Sequence, residues 1–413
     1  MQFHPLSSST YSKHRHTLAF SLLPDSIAIL HSNDLMPKSA DQYFPFRQNS
    51  DLLRLCGIYQ EETALVLYPE HPDPDKRELL FIRRTSEYIR TWEGDGLDLD
   101  EASRISGIRS VHWIDQFESI VYPLVARSTQ VYLNSNEKAN YPQMVINRNE
   151  RLGRVLQKQF PFHSVHRMQV LLRKQSLIKS EEEIRAIRSA VKLTGSTWNK
   201  ISKHIKPGLK EYEISAEITY LFEKQGAVHA FDPIVASGPS ACALHYKLNA
   251  HTLGKDDLLL VDFGAELNGY SADMTRCKAV DGTMNARQFA VYDQVVNLFH
   301  QVRLLMKPGI TIHEINEKIS GWVADAIAQL GLVSLEQAKD KSIIKKYLPH
   351  GVSHFIGLDV HDYGDRYVTL EPGMVLTCEP GLYIREEGMG IRLENDVLIT
   401  ETGCEDLMEG FEI

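Results

Sequence analysis

The chain has 413 residues, 43% of them hydrophobic and 24% charged, with a formal net charge of −9. That is enough apolar sequence for two or three packed domains, and it excludes a disordered or fibrous chain. The acidic balance argues against nucleic acid as the main partner, and without an apolar run near 18 residues the sequence offers no membrane span.

The first part of the chain, residues 1–172, reads as an α/β domain. Short β-rich runs at 26–30, 63–68, 78–82 and 130–133 are separated by turn residues. The acidic stretch 94–101 has a superficial likeness to a calcium loop, but its spacing does not match, and it reads as a solvated loop. The apolar patch at 18–23 is too short and too polar for a signal peptide. Cys56, Cys242, Cys277, Cys378 and Cys404 are scattered, odd in number and lack a CxxC pair, which fits a reducing compartment and a cytoplasmic protein.

A boundary falls near residue 175, and residues 173–413 form the second domain. Ser180 and Glu183 have capping-box spacing. Ile184, Ile187, Val191, Trp198, Ile201 and Ile205 follow at helical spacing, which predicts one amphipathic helix running up to Pro207 and Gly208.

The second domain repeats itself. Lys206-Pro207-Gly208-Leu209 leads to Glu213 and Ile214, and Lys307-Pro308-Gly309-Ile310 leads to Glu314 and Ile315. A helix-period segment follows each turn, and strand-like segments ending in Asp262 and Glu379 follow each helix. This pattern predicts two helix-and-sheet halves related by a pseudo-twofold axis, with acids brought together at the centre.

The acids carry the chemistry. Asn268-Gly269, between Asp262 and Asp273, is a strong hairpin-turn signal. If these are the central turn residues, Leu267 pairs with Tyr270 and Asp273 lies opposite Gly264. Asp262 and Asp273 are then diagonal neighbours on one face, roughly 7–8 Å apart at Cα, where one metal or two close ones would bridge them. Glu379 and Glu394 are likewise embedded in apolar strand sequence, and His354 adds an imidazole. Two carboxylates a few ångströms apart repel by about 3 kcal/mol even in a screened environment, so four converging acids need cations. Each feature alone has a plainer reading: hairpin or surface acids, loop histidines, a simple turn at Glu379-Pro380-Gly381. Their joint occurrence in matching places of two halves points to a dinuclear metal site. A donor set without cysteine favours Mn2+, with Co2+ or Zn2+ as alternatives, and hydrolysis is the natural reaction.

At these residues the sequence resembles the pita-bread metallopeptidases, the group of aminopeptidase P, prolidase and methionine aminopeptidase. The segments that carry the resemblance are Val261-Asp262-Phe263-Gly264, Asp273 to Arg276, His350 to Asp362, Leu376 to Tyr383 and Gly390 to Asp396. It extends into the first domain through Ser39-Ala40-Asp41 and Phe46 to Asp51, which look like aminopeptidase P. The resemblance implies an N-terminal creatinase/prolidase-like α/β domain shaping the cleft and a catalytic pita-bread domain. It implies Asp262, Asp273, His354, Glu379 and Glu394 as ligands of two divalent ions, with Glu379 also managing the proton of the attacking water. His361 would hydrogen-bond the substrate carbonyl, and His245 would assist the leaving nitrogen. His350 and Arg392 would line the proline pocket, with Asp41 and Trp92 contributed by the first domain. Trp92 reads equally well as a packing anchor. The implied activity is release of the first residue of peptides with proline second, with prolidase as the alternative and a non-catalytic peptide-binding module disfavoured by the full ligand set. A homo-oligomer, dimer or tetramer, is also implied.

Overall fold

The computed structural model describes residues 3–135 and 145–412. The chain divides into two compact units, His4–Ser176 and Leu177 onward.

In the N-terminal unit six strands form one sheet: β1 (Ser26–His31), β2 (Ala64–Leu67), β3 (Glu78–Ile82), β4 (Ser110–Trp113), β5 (Gln130–Leu133) and β6 (Ser164–Arg167). Their order is β4-β3-β2-β1-β5-β6, and β2 runs antiparallel to both neighbours while the other pairs are parallel. Residues of β1 alternate between two cores: Ala28 and Leu30 on one face, Ile27 and Ile29 on the other. A sheet covered on both faces explains why its central strands β1, β2 and β3 are apolar runs rather than alternating ones. The stretch expected to be a solvated loop is only partly one. Asp98 caps the helix Leu99–Ser106 and Glu101 closes a capping box, so the acids mark a helix start.

In the C-terminal unit α1 (Glu181–Ile201) starts at the expected capping box, with Glu183 Oε2 accepting from Ser180 N–H at 2.8 Å. It ends at Ile201, short of the expected stop. Ile205 is buried but lies beyond the helix, so its place in the apolar stripe reports packing rather than helical continuation.

The two halves show the expected echo. α2 (Glu211–Glu223) and α4 (Ile312–Gln329) follow turns in which Gly208 and Gly309 both have φ +89°, and α3 (Ala286–Leu305) lies between them. Gly208 N–H donates to Leu253 O and Gly309 N–H to Leu370 O, each at 2.9 Å. The first half pairs β7 (Ile234–Ser237) with β8 (Leu258–Phe263), and β8 with β11 (Met274–Ala279). Between β8 and β11 the chain forms a hairpin tip from β9 (Ala265–Leu267) and β10 (Tyr270–Ser271), with Leu267 opposite Tyr270. Asn268 and Gly269 both have positive φ, as a two-residue turn of this kind requires.

The second half builds a matching hairpin from β12 (Val375–Cys378), β13 (Gly381–Ile384), β14 (Met389–Arg392) and β15 (Asn395–Ile399). Phe355 bridges Leu376 beside β12, so the segment carrying His354 occupies the place that β7 holds in the first half. Apolar residues of α3 and α4 pack on these strands, and an isolated bridge between Thr275 and Glu394 joins the halves at the centre.

Candidate metal centre

The hairpin registers deliver the acids in two different ways. In the first, Asp262 pairs with Thr275 and Phe263 with Met274, which puts Asp273 opposite Gly264. A Cβ on Gly264 would overlap Ala272 O, so the strands can approach here only with glycine at that position. In the second, Cys378 pairs with Asn395 and Gly381 with Arg392, which leaves Glu379 and Glu394 directly facing.

Asp273, His354 and Glu394 each present a donor atom within 4.8 Å of the others. His354 Nδ1–H donates to Phe355 O at 3.1 Å, so in the neutral ring the lone pair lies on Nε2. That nitrogen lies 3.5 Å from Asp273 Oδ2, 3.7 Å from Glu379 Oε1 and 4.0 Å from Glu394 Oε1. Asp262 is turned to an ion pair with Arg392 Nη2, while its Oδ1 and that of Asp273 are buried without a hydrogen-bond partner. Acceptors facing acceptors, with orphaned buried oxygens, fit divalent cations and little else.

The electrostatics agree. Burial and the Glu394 charge hold Asp273 and Glu379 well above the usual carboxylate range. Burial and Asp262 push Glu394 up to about 7. Asp396, whose Oδ2 accepts from Asp273 N–H at 3.0 Å, is also raised, chiefly by burial.

Asp262, Asp273, His354, Glu379 and Glu394 form the floor of a cleft of about 710 Å3, whose walls include Phe231, Ile234, Leu244, Tyr246 and Val360. His245, His350 and His361 all line it. His361 stacks edge-on against His354, with ring centroids 4.5 Å apart. Arg392 borders the cleft but is committed elsewhere: Nε donates to Thr275 Oγ1 at 2.9 Å, Nη1 to Tyr383 Oη at 2.8 Å, and Nη2 meets Asp262. Tyr383 Oη lies 2.8 Å from His350 Nε2, and His350 Nδ1 2.7 Å from Gly351 O. The chain is consistent in one direction: Arg392 donates to Tyr383, Tyr383 to His350 Nε2, and His350 Nδ1–H to Gly351. His350 is thereby held neutral, its pKa pushed down to about 4 by burial and by Arg392.

Asp41 and Trp92 belong to the N-terminal unit. Asp41 sits exposed in the turn between the short strands Pro37–Ser39 and Gln42–Tyr43. Trp92 is 73% exposed beside Tyr88, so it is not a packing anchor.

Three residues near the site were missed from sequence. Tyr383 forms the relay above. Thr275 donates to Glu394 Oε2 at 2.6 Å. Arg276, fully buried, donates to the carbonyls of Thr275 and Glu394 at 3.0 and 2.8 Å. Thr275 had a signal, since the register set by Asn268-Gly269 puts it directly opposite Asp262.

A peptide-sized cleft floored by buried carboxylates and one imidazole defines a metal-dependent hydrolase. The chain belongs to metallopeptidase family M24, whose model matches residues 185–401, and the aminopeptidase P N-terminal domain matches residues 11–132. It is 32% identical to the Xaa-Pro aminopeptidase of Escherichia coli (strain K12), over 97% of this chain and 95% of that one. Among solved structures it resembles zinc-substituted E. coli aminopeptidase P in complex with product, with TM-score 0.89, 29% identity and 99% and 96% of the two chains covered. It also resembles proline aminopeptidase P II from Yersinia pestis, with TM-score 0.88, 30% identity and 98% and 97% covered. Divalent metal ions belong to this family's chemistry. Among the described residues no helix is long and apolar enough to cross a membrane.

Proposed function

We propose that this protein is a metallo-aminopeptidase that removes the first residue of peptides with proline second. The observation that carries the reading is the convergence of the His354 Nε2 lone pair with the carboxylates of Asp273, Glu379 and Glu394 on the cleft floor. Asp262, Asp273, His354, Glu379 and Glu394 would hold two divalent ions, with Mn2+ the best match to the donor set. When bound, these supply Lewis-acid polarisation and a lowered pKa for water.

The chain's own residues do the rest. Glu379 takes and returns the water proton at its carboxylate. His361, on the cleft wall, donates a hydrogen bond to the scissile carbonyl. An X–Pro bond is a tertiary amide with no N–H, so the departing ring nitrogen must be protonated, and exposed His245 is suited to that transfer. Neutral His350 lines the proline pocket. Arg392 acts by holding Asp262 and the Tyr383–His350 relay rather than by reaching the ring itself. Asp41 and Trp92 are proposed as contributions of the N-terminal unit to substrate binding. A prolidase is not favoured, because the aminopeptidase relative aligns over nearly its whole length. The five free thiols support a cytoplasmic location, and a dimer or tetramer is proposed with it.

The test compares hydrolysis of Gly-Pro with that of Arg-Pro-Pro by manganese-loaded protein. Cleavage of the tripeptide is expected, with a loss of about a thousandfold in kcat for Glu379→Ala. Cleavage of the dipeptide alone would make the protein a prolidase.

A further inference from the structure

Glu211 is completely buried at the first position of α2, yet among the described residues it forms no ion pair. Its carboxylate accepts four hydrogen bonds. Oε1 receives Ser237 N–H and Oγ–H at 2.8 and 2.7 Å, and Oε2 receives Tyr246 Oη–H and His251 N–H, each at 2.9 Å. Glu211 N–H also donates to His251 O at 3.0 Å. Ser237 and His251 are the two ends of the loop that carries His245, and Tyr246 is the next residue along. One carboxylate therefore ties down the entry, the exit and the middle of that loop.

The fold does not require this arrangement. The repeat places Ile312 of α4 at the position of Glu211, and Ile312 is buried in the apolar core. A buried acid is costly, and at this site an apolar side chain satisfies the other half. The polar version stands in the half whose loop carries His245, while in the other half, whose loop carries His361, the position is apolar. His245 is exposed on the cleft wall, so its aim derives from the backbone and from Tyr246, whose side chain lines the same cleft.

We propose that Glu211 is a positioning residue for His245, acting through Tyr246 and the ends of the 238–250 loop. This rests on the aminopeptidase reading for its catalytic consequence, but not for the clamp itself. Glu211→Gln is the sharpest probe. Its amide must set an NH2 donor against one of the two donor pairs, so the backbone N–H of Ser237 or of His251 loses its acceptor and the hydroxyl beside it must turn to accept, while volume is kept.

The experiment measures kcat and KM for Arg-Pro-Pro from pH 6 to 9 in the manganese-loaded protein. The variants are Glu211→Gln, Tyr246→Phe and His245→Ala, with the two double variants on His245→Ala. Thermal unfolding and hydrogen exchange of residues 238–251 are followed in parallel. The expected result is a kcat loss of about tenfold or more for Glu211→Gln and several-fold for Tyr246→Phe, with KM within about twofold. A changed pH profile should accompany it, and the loss should vanish in the His245→Ala background. Exchange in the loop should rise about tenfold while α2 stays protected.

A lowered Tm with wild-type kcat and loop exchange would overturn the proposal, as would a kcat loss that persists without His245. If the wild-type protein cleaves no X-Pro peptide, the functional reading fails. Loop exchange in Glu211→Gln then still decides whether the clamp exists.

Discussion

Thr275 Oγ1 and Glu394 Oε2 are joined by a 2.6 Å hydrogen bond across the seam between the two half-units. The same hydroxyl accepts from Arg392 Nε at 2.9 Å, so one small side chain couples an acid of the second half to the guanidinium that holds Asp262 in the first. Thr275→Val keeps the shape and removes both bonds. Metal affinity is expected to fall by about 10–100-fold, the usual range for partners that orient a ligand. A competition titration against a chromophoric chelator measures it, and unchanged affinity would show the seam to be decorative.

The raised carboxyl groups predict proton release. Asp273 and Glu379 are held well above the ordinary range and Glu394 at about 7, so the metal-free fold keeps protons near pH 6 that a divalent ion must displace. Calorimetry in buffers of different ionisation enthalpy should find more protons released at pH 6 than at pH 8.5. The sign for stability follows. With folded pKa values above the unfolded ones, the native state binds more protons, so chelated protein loses stability as pH rises from about 4.5 through 7. Added Mn2+ should remove that loss.

Lys179 Nζ and Asp362 Oδ2 form a buried ion pair at 2.7 Å, immediately beside His361. A Cβ on Gly357 would overlap that carboxylate, so the loop closes tightly over the pair. Lys179→Met leaves the acid without this partner and is expected to cost about 3–5 kcal/mol by urea unfolding. Lys179→Met with Asp362→Leu should recover most of it. Equal loss in the double variant would refute the ion-pair account.

In the N-terminal unit His31 is buried against Phe117, and its Nδ1 has no hydrogen-bond partner. Burial, helped by the Arg148 charge, pushes its pKa down to about 3. The unfolded chain therefore takes up a proton that the folded unit refuses. The contribution of His31 to stability should be complete above about pH 6.5 and fall toward pH 3 by about 1.4 kcal/mol per pH unit. His31→Leu should flatten that slope in denaturant titrations; an unaltered slope would place the proton uptake elsewhere.

Much of the site was legible because its signals are local. Asn268-Gly269 selects a turn with two positive φ values, and antiparallel pairing then carries Asp273 opposite Gly264 without tertiary information. Ser180 with Glu183 and the repeated Lys-Pro-Gly turns worked in the same way, since backbone conformation near a cap or turn depends on a few neighbouring residues.

Tertiary structure alone decided the rest. The second acid pair faces directly where the first is diagonal, because Glu379 and Glu394 lie at the break between two ladders. Arg392 reaches Asp262, 130 positions away, because two hairpins pack about a common centre. Glu211 reaches both ends of the His245 loop for the same reason. Helical periodicity ran on to Ile205 because burial, which it reports, outlasts the helix. A residue's local preference is written in its neighbours in sequence, whereas the partner of a buried charge is chosen by whichever distant group the packing brings within hydrogen-bond reach.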